Sequence, residues 1–144
     1  MDWLVRGGIA GALTALITQA ISSLLFVLKL LHVNLMVQLA GSLVSPFHPV
    51  TATLVHLIIG AGLGIILSSI LAFTGSDYHL LKGALFGTLE WLVEKVFVVP
   101  LIGVVFPFRH TFLLNTVEIG FNILYGVLAA CFIVVLRQPG PLNR

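Results

Sequence analysis

The sequence predicts an all-α integral membrane protein: a four-helix bundle built from two tandem helical hairpins, a parallel 2+2 repeat. Three observations predict it. The chain is 59% hydrophobic and only 8% charged over 144 residues, whereas soluble domains carry about 25% charged residues, so a water-facing surface cannot be built from this stock. Its mean hydropathy of +1.16 belongs with helical membrane proteins. Four apolar runs, each long enough for the ~20 helical residues that cross a hydrocarbon core, are separated by clusters of helix breakers.

The first span is predicted over 7–28. It exceeds the apolar core of a secretion signal and lacks a small-x-small cleavage site, so it reads as a mature span. The stretch "HVNLMVQLAGSLVSPFHP" is too polar to span and too apolar for a water-exposed loop. It predicts an interfacial helix over 33–43, lying along the outer surface with His32 and His48 near water at its ends. Pro46 and Pro49 lead into the second span, 50–73, and Gly75, Ser76 and Asp77 separate it from the third, 80–102. Gly103 and Pro107 close the third, and Pro139 and Pro141 follow the fourth, 112–136.

Arg6, Lys82, Arg137 and Arg144 fall on one side of these spans, and Lys29 and Arg109 on the other. The bias places both termini in the cytoplasm. A net charge of +2, dispersed along the chain, leaves no basic run that would read nucleic acid or anionic lipid. The bilayer is therefore the first partner, and nucleic acid is not one. The lone Cys131 forms no intrachain disulfide and no CxxC motif, and reads as a small packing residue.

The halves of the chain echo one another. Gly7, Gly11, Thr14 and Thr18 match Gly83, Gly87, Glu90 and Glu94 at an offset of 76, and His56, Gly60 and Gly64 match Asn122, Gly126 and Ala130 at an offset of 66. Two spans per half keep both halves in the same orientation, about an axis along the membrane normal. Glycines four apart (Gly7 and Gly11, Gly60 and Gly64, Gly83 and Gly87, with Gly126) line helix faces where backbones can approach closely.

The stretch "GTLEWLVEKVF", 87–97, places Glu90, Glu94 and Lys95 inside the third span. Stepping four, three, four from Gly83 puts both glutamates on the glycine face, toward protein. At ~1.5 Å per residue, Glu90 lies near the bilayer midplane, while Glu94, Asn122, His56 and Glu118 share one layer of the outer half. A charge at the bilayer centre costs ~2.5–3.5 kcal/mol, so a neutral glutamic acid hydrogen-bonded to Asn122 or His56 is the affordable form. On this reading Glu94 is the functional member, sharing a proton with His56 or Glu118. Glu90 takes a threonine hydroxyl of the first span. Lys95, ~100° further round the helix, does not neutralise Glu94 directly and pairs with Glu118 or an interfacial carbonyl. The competing reading is that the charges pair only to fix packing.

His56, Glu94 and Glu118 offer one nitrogen and two carboxylates to a metal, without the spacing of a Glu-x-x-His or His-x-x-x-His site, so the metal question stays open. No cofactor is predicted, and nucleophile elbows, phosphate loops and zincin helices are absent.

Gly83-x3-Gly87-x3-Trp91-x8-Pro100, followed by Asn115-Thr116 and Leu124-Tyr125-Gly126-Val127, resembles the YqhR-type membrane proteins of endospore-forming Firmicutes, over the last 70 residues or so. The resemblance implies a four-span protein of the bacterial inner membrane with no established activity. It also implies apolar residues at 90, 94 and 95, so the charged trio is a departure particular to this chain. Two functional classes follow: proton- or cation-linked transport through the Glu/His/Asn cluster, as a homo-oligomer, or a non-catalytic accessory or scaffold packed against a larger membrane complex. An enzyme ranks behind both.

Overall fold

The computed structural model describes residues 2–41, 43, 48–102 and 112–137, and every element among them is helical. The readings that rest on Pro46, Gly103, Pro107, Arg109, Pro139, Pro141 and Arg144 fall outside those residues. In chain order come α1 (Trp3–Val27), α2 (Leu35–Gly41), α3 (Pro49–Thr74), α4 (His79–Val93), a π-helical turn (Glu94–Val98), α5 (Val99–Ile102) and α6 (Phe112–Val135). Three of these, α1, α3 and α6, are long and apolar enough to cross a membrane.

Local chemistry sets the ends. Pro49 sits in the first turn of α3, where its missing N–H costs nothing. Gly75 ends that helix at a φ of 81°, a conformation open to glycine. Lys29 adopts a φ of 58° just beyond α1, its N–H donating to the Phe26 carbonyl at 3.0 Å.

The third predicted span is not one uniform α-helix. Helical backbone runs from His79 to Ile102, but its middle widens into the π turn, where the Val99 N–H donates to the Glu94 carbonyl. Pro100 explains the widening. It has no N–H for the carbonyl one turn back, and its ring crowds that carbonyl; a π turn directly ahead relieves both.

Burial is inverted relative to a soluble protein. The buried face of α1 is Gly7, Ala10, Gly11, Thr14, Ala15, Thr18, Gln19 and Ser22, all small or polar. Leu13, Leu16 and Leu24 on the same helix point outward. Ile58 is 70% exposed and Phe73 88%. A water-soluble fold would hide these side chains; a bilayer solvates them, and small residues inside let helices associate without a hydrophobic drive.

The helices associate as α1 with α3 and α4 with α6, and α1 also lies along α6. In the first pair Gly11 packs on the backbone of Gly60 and Gly7 on that of Gly64; in the second, Gly83 meets Gly126 and Gly87 meets Asn122. A Cβ at any of the four would strike backbone atoms. Side-chain hydrogen bonds add to this: Gln19 Nε2 donates to Thr53 Oγ1 at 2.7 Å, and Ser68 Oγ to the Trp3 carbonyl at 2.9 Å. By contrast α3 and α4 barely touch.

The short helix α2 is briefer than the 33–43 segment expected, and one face of it is packed. Leu35, Met36 and Ala40 are buried, with Leu35 and Met36 clustering on Phe121 of α6. Asn34 seats it: its Nδ2 donates to Ser23 Oγ at 2.9 Å, and its Oδ1 accepts from Ser22 Oγ at 3.1 Å. His32 and His48, on either side, are exposed.

Candidate functional site

Where α3 and α4 diverge, a cavity of about 280 Å³ opens, with α2 above it and α6 behind it. Its wall is mostly apolar, with Met36, Ile59, Leu63 and Phe121 among its residues. The polar side chains facing it are Thr18, His56, Glu90, Glu94, Asn122 and Tyr125. Thus α3 supplies His56, α4 and the π turn supply the two glutamates, and α6 supplies Asn122 and Tyr125. The stepping of Glu90 and Glu94 along the glycine face of α4 carries them inward, because Gly83 and Gly87 lie buried against α6.

Four of the six residues singled out from the sequence, His56, Glu90, Glu94 and Asn122, therefore share one cavity. The other two, Lys95 and Glu118, form an ion pair, with Lys95 Nζ 2.7 Å from Glu118 Oε2. Glu118 is 1% exposed and Lys95 18%, so this pair is held away from solvent. The same ammonium lies 3.8 Å from Glu94 Oε1. Sequence reasoning kept Lys95 and Glu94 apart on the assumption of an α-helical step. They are the first two residues of the π turn, which changes that step and lets one ammonium reach both carboxylates.

Two expected partnerships are not formed. Thr14 and Thr18 do not hold Glu90: their hydroxyls donate back along α1, Thr14 Oγ1 to the Ala10 carbonyl at 2.8 Å and Thr18 Oγ1 to the Thr14 carbonyl at 3.1 Å. A helical threonine satisfies its single proton on the preceding turn. Among the described residues, Glu90 Oε2 is buried with no hydrogen-bond partner, as is His56 Nε2. Asn122 likewise turns to its own helix, its Nδ2 donating to the Glu118 carbonyl at 3.0 Å.

One contact at this site went unanticipated. Tyr125 reaches across from α6, its hydroxyl donating to the Gly60 carbonyl at 2.5 Å. It crosses to α3 where Gly60 lacks a side chain, and closes the cavity on that side. The pairing with Gly60 carries no local signal in the sequence.

The chemistry available here is that of carboxyl and imidazole groups buried beside a cavity, groups able in general to exchange a proton. Glu90 and His56 each present a polar atom that the described residues leave unbonded, and such an atom costs ~1–3 kcal/mol unless something binds it. For a metal the arrangement is poor. Among the described residues no three His, Cys, Asp or Glu side chains gather as a ligand set, and Glu118, one of the three residues considered for it, is engaged by Lys95.

Comparison of the chain with protein-family models, with curated proteins and with solved structures gave no match.

Proposed function

We propose that this chain is a small transport protein of the bacterial inner membrane, moving protons or cations through the cavity between α3 and α4. The observation that carries the reading is that cavity, about 280 Å³, reaching His56, Glu90 and Glu94 inside a mostly apolar wall. Intramembrane ionisable groups are expensive, and they commonly mark ion or proton pathways. Glu94 is the exchanging group, held beside Lys95 and Glu118. The unbonded oxygen of Glu90 lies deeper, one turn back along α4.

The architecture proposed with it is a four-span bundle of two tandem hairpins, both termini cytoplasmic, working as a homo-oligomer. The unbroken helical backbone from His79 to Ile102 serves as the third of the four spans. The paired glycine contacts support a duplication, with a register one turn from the sequence alignment: Gly60 and Gly64 hold the places of Asn122 and Gly126 in their respective pairs. The resemblance to YqhR-type proteins is part of the same proposal and rests on the glycine, Trp91 and Pro100 spacing.

A proteoliposome flux assay tests it. Wild type should dissipate an imposed proton or monovalent-cation gradient, and Glu94→Gln should abolish that flux while folding normally, because an amide resembles a neutral acid in shape. Wild type that passes no ion under any gradient refutes transport and leaves the accessory or scaffold role.

A further inference from the structure

We infer that the central cavity takes a small lipophilic amine, held as its ammonium against Glu90 and admitted from the bilayer between α3 and α4. The inference rests on the transport reading above and names the class of cation that fits the site.

The wall argues against a bare inorganic ion. Stripped of water, such an ion needs a shell of oxygen ligands. Here Met36, Ala40, Leu63, Val99 and Phe121 present carbon, with few polar groups between them. An organic cation suits that wall. It brings a hydrocarbon part to bury and a single charged end to satisfy, the usual division of labour in a small-molecule pocket.

The charged end has a place. Glu90 Oε2 is buried and has no hydrogen-bond partner among the described residues. Glu94 already stands 3.8 Å from the Lys95 ammonium, whereas no ion pair to Glu90 forms among those residues. His56 Nε2, on the α3 side of the cavity, is likewise without a partner among them. A primary ammonium carries three N–H donors, and a carboxylate oxygen and a neutral imidazole nitrogen are both acceptors. The rings of Phe121 and Tyr125 stand in the same wall, and aromatic rings attract organic cations. Protons balance: an amine arriving as the free base takes the carboxyl proton of Glu90, which leaves ammonium beside carboxylate.

The mouth sets how the ligand arrives. Ile59 of α3 lines the cavity on one side of the gap, and Val93 and Val98 line it on the other; all three are also exposed. Exposed apolar side chains on a membrane span meet lipid rather than water, so the mouth opens toward hydrocarbon. What enters is therefore soluble in lipid as its free base. The volume sets the size. About 280 Å³ is roughly twice the ~150 Å³ that holds a benzene ring, so one ring with a short aminoalkyl arm fills it.

The probe is tritiated 3-phenylpropylamine, which is of that size, with binding read by scintillation proximity on the purified full chain in nanodiscs. Wild type should bind it saturably. 3-Phenylpropanol and butylbenzene keep the shape without the charge and should compete about tenfold or more weakly; 3-phenylpropionate should not compete. Glu90→Gln should weaken binding about tenfold or more, as expected for a lost charge-assisted hydrogen bond, and circular dichroism verifies its helices. Glu90→Asp should fall between. Asp77→Asn, which removes an exposed carboxylate outside the cavity, should bind as wild type. If Glu90→Gln does not fold, the competitor series on wild type decides. Absence of saturable binding, equal competition by butylbenzene, or unchanged affinity in a folded Glu90→Gln overturns the inference. Ion flux by a chain that binds no amine removes the amine site and leaves transport standing. Saturable amine binding by a chain that passes no ion keeps the site and removes transport.

Discussion

Lys95 shows what a single charge does when the surroundings exclude water. Its ammonium lies 2.7 Å from Glu118 and 3.8 Å from Glu94, so one cation stands within reach of two acidic side chains from different elements. Removing one member of a buried pair strands the other, at ~3–5 kcal/mol, while replacing both with apolar residues is often neutral. Lys95→Met and Glu118→Leu should each destabilise strongly, and the double variant should recover most of the loss, as read by unfolding in mixed detergent micelles. At the far end of α1, Lys29 holds a positive φ that costs an L residue ~1–2 kcal/mol. Lys29→Gly should therefore stabilise by about 1 kcal/mol in the same assay. Part of this scale is legible in sequence. The spacing places Glu94, His56, Asn122 and Glu118 in one layer, of which the first three line one cavity, and it offers Lys95 either Glu118 or an interfacial carbonyl, of which Glu118 is within ion-pair distance. The empty hydrogen-bonding position at Glu90 was not legible, because it depends on whether Thr14 and Thr18 turn toward a neighbour or back along α1, a choice between near-equal bonds that only the folded backbone decides.

At the scale of elements, the close approaches are where a small change should separate helices. A Cβ at Gly87 would strike the backbone of Asn122, whereas Gly62 and Gly120 have open space around the same position. Gly87→Ala should destabilise the α4–α6 pair by ~1–3 kcal/mol through overpacking. Gly120→Ala and Gly62→Ala should be neutral or stabilise by up to ~1 kcal/mol, since alanine is the better helix former. Thermal unfolding of the three variants in one detergent makes the comparison. Helix positions were readable because apolar length and Pro or Gly punctuation act locally. Two features were not. The π turn is a response of the whole segment to Pro100, with nothing in residues 94–98 to announce it. The seat of α2 depends on Phe121, Ser22 and Ser23, all remote in sequence from residues 35–41.

The molecule as a whole is turned inside out, with small and polar residues inward and large apolar ones outward, and this distribution matches the composition that first pointed to a bilayer. Its asymmetry matters more for function. Because α1 bridges to α6 while α3 and α4 stay apart, polar residues of α1, α3, α4 and α6 face a shared cavity. The central claim is that this cavity holds neutral, exchangeable glutamic acid. Carbodiimide labelling in the bilayer tests it most directly, since an apolar carbodiimide partitions into lipid and reacts with protonated carboxyl groups, and peptide mapping by mass spectrometry locates the adduct. The account predicts modification at Glu94 or Glu90, lost from the substituted position in Glu94→Gln or Glu90→Gln, with Glu118 protected by Lys95. Labelling confined to Asp2 and Asp77, with both cavity glutamates untouched, would contradict it.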